Sequence, residues 1–200
     1  EMCIRDRYYY SLSRLLTDVY TRRVLLSWGG TMFEYLMPVI FTGALYGSAL
    51  GESAYNAVTV QRLSAKKGYP WGISESGFYA FDRNMLYQYR AFGERQLALC
   101  QESEEERVIA PYASMLALMI EPDAACANLK RLEALGAYGK FGFYEAVDFT
   151  RERMREGSSY EIVKSYMAHH QGMALCAAAN ALCENALSDI FLNAPRIRAA

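Results

Sequence analysis

Apolar residues recur along most of this chain at spacings of three and four positions, which is the pattern of an amphipathic helix. The pattern begins in the segment 11–26, where it predicts a first helix. The apolar positions of that helix are Leu12, Leu15, Leu16 and Val19.

Local start and stop signals mark the ends of further helices. Thr31 is followed three residues later by Glu34, the capping-box pattern, which predicts a second helix that runs to about Tyr46. Proline opens two of the other helices and glycine follows two, as is typical of helix starts and ends. These other helices are predicted over 52–67, 111–119, 122–135 and 161–183, the last with an interruption near Gly172.

Strand signals are weak, because no segment alternates apolar and polar residues for long and no Asn-Gly turn occurs. Short segments rich in Gly, Trp, Tyr and Phe lie between the predicted helices and recur roughly every 40 residues, a spacing that fits one helical hairpin with its loops. The sequence therefore predicts an all-α fold, about half of an (α/α)6 toroid of helical hairpins, with the aromatic loops on one face.

The charge balance excludes some partners. Charged residues make up 22% of the 200 residues and the net charge is −1, so no attraction to nucleic acid is expected. The longest uncharged stretch, 35–51, is shorter than the about 20 apolar residues that cross a bilayer, so no membrane span is expected. Five cysteines without a CxxC pair indicate reduced thiols in a cytoplasmic setting.

Cofactor and metal sites are not indicated either. Neither a phosphate-binding glycine loop nor the Gly-x-Ser-x-Gly elbow of a serine hydrolase occurs. His169 and His170 are the only histidines. Neighbouring helical residues point about 100° apart, so this pair is not expected to share a metal ion. We therefore expect no cofactor and no metal.

The first seven residues, 1–7, resemble the translated read-through of a sequencing adapter and are left out of the fold prediction. The natural sequence is then expected to start near Tyr8 within a longer protein, and 8–200 is expected to be one partial domain.

Four carboxyl groups lie in aromatic, Gly-rich segments and are candidates for glycoside chemistry, which needs two of them. They are Glu34, Glu75, Glu145 and Asp148. An acid beside an aromatic ring is partly desolvated, which suits it to donate a proton near neutral pH. Each also has a structural explanation: the first two could cap helices, and the last two could bind loop backbone or an arginine.

Aromatic residues make up 14% of the chain, and tyrosine is the commonest of them. A tyrosine ring suits sugars through its apolar face and polar tip, but it suits helix–helix seams equally well. Imidazole and amide groups can both donate and accept hydrogen bonds to sugar hydroxyls. The candidate sugar-binding residues on these grounds are Trp28, Trp71, Tyr144, His169, His170 and Gln171.

Six strings of the sequence, read in order, resemble the glucoamylase-like domain of cyclic β-1,2-glucan synthases. They are SWGGTMFEYLMP (27–38), PWGISESGFYAFD (70–82), YQYRAFG (87–93), VIAPYASMLALMIEP (108–122), NLKRLEALGAYGKFGFYEAVDFT (128–150) and SYMAHHQGM (165–173). The polar segment 94–107 departs from the family, which has a Gly-rich stretch there, and we assign it no chemical role.

The resemblance implies a large multidomain bacterial enzyme at the cytoplasmic face of the inner membrane. One part would polymerise glucose from UDP-glucose, this part would close linear β-1,2-glucan into a ring by retaining transglycosylation, and a phosphorylase-like part would trim chain length. The implied partners are the β-1,2-glucan chain and those other domains, with no nucleic acid.

The matched strings also imply residue roles. Glu75 is the first choice for the catalytic acid–base, and Glu34 and Glu145 are partner or subsite residues. Tyr87, Arg90 and Asp148 are implied contacts of the sugar. Because the family domain begins upstream of Tyr8, a catalytic carboxylate could also lie there.

Two other functions fit the same sequence: an endo-β-1,2-glucanase and a non-catalytic glucan-binding toroid. Product analysis distinguishes ring closure, which gives cyclic glucans, from hydrolysis by a glucanase, which gives linear oligosaccharides. A binding-only domain would keep its glucan binding, and any turnover, when Glu75 is replaced.

Overall fold

A computed structural model describes residues 7–8, 10–65, 67–100 and 107–198. Most of the expected adapter segment (residues 1–6) and the acidic part of the polar segment (101–106) lie outside the described residues. The chain is 44% helical and 18% strand, with the strands in several small sheets. The prediction of an all-α half-toroid is therefore wrong. It failed because the strands have only two to six residues, too few to show the alternation by which a strand is identified in sequence.

The first predicted helix is a β-hairpin instead. Strand β1 (Leu16–Val19) pairs antiparallel with β2 (Arg22–Leu25). Tyr20 and Thr21 between them both have positive φ, which is the backbone of the two-residue turn that matches strand twist. Val24 is fully buried in a small apolar cluster with Val60 and Leu97, whereas the three leucines that suggested a helix are 46–56% exposed.

The other predicted helices form, most of them close to the predicted bounds. Thr31 caps α1 (Met32–Leu36): its side chain accepts from the Glu34 amide, and the Glu34 side chain accepts from the Thr31 amide, so the predicted capping box is confirmed. This helix breaks at Pro38, because proline has no amide hydrogen to continue it. The remaining helices are α2 (Val39–Thr42), α3 (Ala49–Ser64), α4 (Pro111–Ala117), α5 (Pro122–Ala134), α6 (Ala168–Leu182), α7 (Ala186–Leu192) and α8 (Pro195–Arg198).

The strands pair into three further small sheets. In the first, β3 (Ser76–Phe81) is antiparallel to β4 (Tyr87–Arg90). The second has the order β5-β8-β9 and consists of β5 (Val108–Ile109), β8 (Ala146–Asp148) and β9 (Glu161–Val163). The third is the short hairpin of β6 (Tyr138–Gly139) and β7 (Gly142–Phe143). The segment predicted as one helix over 161–183 therefore starts as a strand, and α6 then passes through Gly172 without a break.

The main core lies between the helices. Met32 and Leu36 of α1, Leu116 of α4 and Ala177 of α6 are fully buried in it. Helix α6 packs along α4, and its first turn, which contains both histidines, comes next to strand β4. The core thus fixes the place where the β3–β4 sheet and the start of α6 meet.

Among the described residues, no single helix is long and apolar enough to cross a membrane. The pair α6 and α7 meets the length and composition criteria only when taken together, and it is bent by 97°.

Candidate active site

Glu75 lies at the centre of a group of polar side chains that come from distant parts of the chain. Its Oε1 atom accepts a hydrogen bond of 2.8 Å from the Tyr89 hydroxyl. The same hydroxyl oxygen is 3.1 Å from Nε2 of His169 and 3.1 Å from Nε2 of His170. We call Glu75, Tyr89, His169, His170 and Glu145 the polar centre.

Glu145 reaches this centre through His170. Its Oε2 is 3.0 Å from Nδ1 of His170, and its Oε1 accepts a 3.1 Å bond from the Gly77 amide. Both side chains are almost fully buried, with Glu145 2% and His170 1% exposed. An imidazole N–H at Nδ1 can donate to this carboxyl oxygen of Glu145, which is the usual role of such a pair. A continuous chain of contacts therefore links Glu75 to Glu145.

Two tyrosines contact the His170 ring. Tyr112 of α4 stacks on one face, with ring centroids 3.8 Å apart and planes at 16°, and Tyr89 lies 5.9 Å away at 28°. The Tyr112 hydroxyl donates to the Glu75 backbone carbonyl (3.0 Å) and contacts the Ser74 hydroxyl (2.7 Å). Tyr112 thus fixes both the imidazole and the backbone that carries Glu75.

The two phenols stay protonated. Burial, and then the hydrogen bond to Glu75, raise the pKa of Tyr89 far above its ordinary value. Burial raises the pKa of Tyr112 as well. The pKa of His169 is lowered, first by burial and then by the neighbouring His170. Tyr89 is therefore a hydrogen-bond donor to Glu75 at any ordinary pH.

An open groove of about 960 Å³ begins at chain neighbours of the polar centre, although the described residues that line it include none of the five members of that centre. Gly77, whose amide binds Glu145, is in its wall, together with Met167, which immediately precedes α6. Phe81 and Tyr87 face each other across the β3–β4 pair in the same wall and are 58% and 62% exposed. Exposed aromatic rings offer the apolar faces on which sugar rings stack.

Glu34, the first of the candidates outside the polar centre, binds its own helix start. Its carboxyl oxygens accept hydrogen bonds from the Gly29 and Thr31 amides and from the hydroxyls of Ser27 and Thr31. The structural explanation offered by the sequence, that Glu34 caps its helix, fits these contacts.

The two tryptophans lie apart from each other. Trp71 is only 3% exposed and belongs to the helical core, where Asn128 binds its backbone amide and carbonyl. Trp28 is 71% exposed and lines a cavity of about 640 Å³ together with Tyr69 and Arg95. The described residues that line this second cavity include no member of the polar centre.

The remaining candidates surround the centre or support loops. Asp148 is buried and forms an ion pair with Arg153 (2.6 Å), which fits the structural explanation that this carboxyl group binds an arginine. The Gln171 side chain donates to the Phe143 carbonyl (3.1 Å) and ties the β6–β7 hairpin to α6. Tyr144 packs on Tyr166 with ring centroids 5.2 Å apart. Arg90, next to Tyr89, is half-buried and points to the opposite face of β4.

Sequence reasoning missed Tyr89 and Tyr112. Tyr89 lies two positions after the candidate Tyr87, so both side chains extend from the same face of a strand. That signal was present, but the segment was not identified as a strand. Tyr112 follows Pro111 in the first turn of α4, and nothing in the sequence distinguishes it there from an aromatic residue of the core.

Residues 3–195 match the family described as "Putative glucoamylase". The chain is 42% identical over 195 residues to the cyclic β-(1,2)-glucan synthase NdvB of Rhizobium meliloti (strain 1021). The match takes in 96% of this chain but only 7% of that relative, so the chain spans a small part of the curated protein.

Two solved structures share the fold. A putative glucoamylase from Bacteroides caccae superposes with a TM-score of 0.67 at 18% identity, over 96% of this chain and 46% of that one. An endo-β-1,2-glucanase from Chitinophaga pinensis, solved with sophorotriose and glucose, gives the same TM-score and coverage at 20% identity. Taken with the family match, these findings show that the chain belongs to the glucoamylase-like family of carbohydrate-active enzymes and is homologous to a cyclic β-1,2-glucan synthase.

Proposed function

We propose that this domain acts on β-1,2-glucan and that Glu75 is its general acid–base. The observation that carries the proposal is the arrangement at Glu75: a half-buried carboxyl group is held by the Tyr89 hydroxyl, and a groove with exposed aromatic rings begins two positions further along the chain, at Gly77. The substrate class is supported by the relative named as a cyclic β-(1,2)-glucan synthase and by the fold neighbour named as an endo-β-1,2-glucanase.

The groove can hold the glucan chain next to Glu75. Tyr87 and Tyr89 are two positions apart on β4, so their side chains leave the same face roughly 6.6 Å from each other. Tyr89 binds Glu75, and the exposed ring of Tyr87 therefore offers a stacking surface one step further along the groove. Phe81 adds a second exposed ring opposite Tyr87.

We propose a retaining transglycosylation in two steps. In the first step, a carboxylate attacks the anomeric carbon while Glu75 gives its proton to the departing glycosidic oxygen, and that bond breaks. In the second step, Glu75 takes a proton from an acceptor hydroxyl, whose oxygen displaces the carboxylate from the anomeric carbon. When the acceptor is the far end of the same chain, the product is a ring.

Glu145 is the partner carboxylate that the polar centre offers, and because it is 2% exposed with both oxygens engaged, it must leave one of these contacts to reach the sugar. Its position is fixed by His170 and Gly77, and the contact chain through His170 and Tyr89 couples it to Glu75. Glu34 is the weaker candidate, because it lies outside the polar centre and its carboxyl oxygens are engaged by the α1 cap.

The wider setting follows the resemblance and is part of the same proposal. The domain would work within a longer synthase at the cytoplasmic face of a bacterial inner membrane. It would receive linear glucan from a glycosyltransferase part and pass its product to a phosphorylase-like part.

The test uses the protein in the form in which the cell makes it, with linear β-1,2-glucan as substrate. Mass spectrometry distinguishes ring products, which are one water lighter than the linear chains of equal length. Glu75→Gln keeps the shape of the side chain but removes its titratable proton, and we expect it to lower turnover by about 100-fold or more. Glu133→Gln, on the exposed surface of α5, is the matched control.

Two outcomes would change the proposal. Ordinary turnover by Glu75→Gln would reject the role of Glu75. Linear products alone from the unchanged protein would favour the second candidate, an endo-β-1,2-glucanase, which the fold neighbours named as glucanases also support. Adding azide to Glu75→Ala separates the roles of the two carboxylates: an acid–base at Glu75 predicts a glycosyl azide of retained configuration, and a nucleophile there predicts inversion.

A further inference from the structure

Three side chains of the polar centre aim metal-binding atoms at one point. One carboxyl oxygen of Glu75 and one ring nitrogen each of His169 and His170 all lie within 4.8 Å of one another. The Tyr89 oxygen lies between them, 2.8 Å from Glu75 and 3.1 Å from each histidine Nε2. Four donor atoms of three residue types therefore converge.

The sequence argument against a shared metal does not hold for these rings. Although neighbouring helical residues diverge, side chains in a first helical turn lean back toward the helix start. His169 and His170 occupy the second and third positions of α6, and their ring centroids are only 4.0 Å apart. Both Nε2 atoms consequently reach the same hydroxyl.

The spacing of the donors suits a four-coordinate ion. Bonds of about 2.0–2.1 Å to nitrogen and oxygen in a tetrahedron place the donor atoms about 3.3 Å apart. The ligand atoms of Glu75, His169 and His170 lie within 4.8 Å of one another, so small side-chain movements would bring them to this separation. Imidazole nitrogens with one carboxylate are donors that Zn²⁺ and its neighbours in the first transition row accept, and that Mg²⁺ does not prefer.

The surroundings of His170 give a second, independent indication. Histidines that bind metals commonly donate their other N–H to a carboxylate, which fixes the ring and its tautomer. His170 does this with Glu145 at 3.0 Å, and both side chains are buried. With Nδ1 turned to Glu145, Nε2 is the ring nitrogen that can offer a lone pair, and it faces the Tyr89 oxygen, whose own proton is donated to Glu75. A cation at this point would satisfy the lone pair.

We propose that Glu75, His169 and His170 form a binding site for a divalent transition-metal ion of the Zn²⁺ type. The Tyr89 hydroxyl, which keeps its proton, would stay beside the ion as a donor to the Glu75 carboxyl group. The ion would sit on the carboxyl group that the proposed reaction uses, so that metal and glucan exclude each other. Only this last consequence rests on the proposed function.

Isothermal calorimetry with ZnCl₂ tests the binding without any substrate. Exposed thiols also bind Zn²⁺, so the protein is first alkylated to block Cys100, Cys126 and Cys183. We expect one Zn²⁺ per chain and no comparable binding of Mg²⁺. His169→Ala changes an exposed side chain and removes one donor, and we expect at least a tenfold weaker affinity. Glu145→Gln keeps the fold contacts but weakens the support of His170, with a loss of about 10- to 100-fold.

Equal Zn²⁺ affinity in the unchanged protein and in His169→Ala would overturn the proposal, and so would Mg²⁺ binding as tight as that of Zn²⁺. The exclusion of glucan is measured separately, as Zn²⁺ inhibition that a chelator reverses. If Zn²⁺ binds but turnover is unaffected, the metal site stands and the role of Glu75 in the reaction is what fails.

Discussion

Tyr89→Phe is the substitution that examines the polar centre most selectively. It removes one oxygen, which donates to Glu75 at 2.8 Å and contacts both histidines at 3.1 Å. The phenylalanine ring keeps the packing against His170. The change therefore deletes the hydrogen bond to the Glu75 carboxyl group while leaving the shape of the site intact.

The size of the effect follows from the bond that is lost. A hydrogen bond to a charged group contributes about 1.5–3 kcal/mol, and 1.4 kcal/mol corresponds to a factor of ten. We therefore expect kcat/KM on linear β-1,2-glucan to fall roughly 10- to 100-fold. Because Tyr89 holds the carboxyl group that transfers the proton, the pH profile of kcat/KM should also shift, which a change in packing alone would not cause.

The control is Tyr46→Phe, which also removes one hydroxyl, but from a surface pair with Tyr55 of α3. It should leave kcat/KM within about twofold of the unchanged protein, as is usual for surface changes of this kind. If Tyr89→Phe behaved like this control, with an unchanged pH profile, the hydroxyl would not serve Glu75 and the reasoning would be refuted.

Two further predictions concern stability and follow from contacts outside the polar centre. Thr31→Ala removes the hydroxyl that caps α1 and should lower the free energy of unfolding by about 1 kcal/mol, measured by urea titration; no loss would mean that the cap is not needed. Trp71→Ala empties a core position that is 3% exposed and should cost about 3–5 kcal/mol in the same titration. If Trp71→Ala kept its stability but bound glucan more weakly, Trp71 would be a sugar-binding residue and not a core residue.

Sequence alone predicted the helices that carry their own end signals. The Thr31–Glu34 box and the prolines that open α4 and α5 act within one turn, so their effect can be recognised without knowledge of the fold. The hairpin of β1 and β2 was mistaken for a helix because Leu12, Leu15 and Leu16 happen to fall at helical spacing. The turn at Tyr20 and Thr21 and the burial of Val24 can be recognised as hairpin features only once the two strands are known to pair.

The candidate site could be predicted in part. Glu75, Glu145 and the histidines were chosen for their chemistry, and the fold places them together although they are up to 95 positions apart in sequence. Trp71 was chosen on the same grounds, but it lies in the core, since a tryptophan serves packing and sugar binding equally well. Tyr89 was missed because its role depends on the strand that brings it over α6.

Turnover of linear β-1,2-glucan by Glu75→Gln, with the products analysed by mass, tests the central claim most directly. We predict that ring formation falls by about 100-fold or more, while Glu133→Gln forms rings at the ordinary rate and Glu75→Gln still binds the glucan. Ring formation at the ordinary rate by Glu75→Gln would contradict the account, and Glu145 would then be the next carboxyl group to replace.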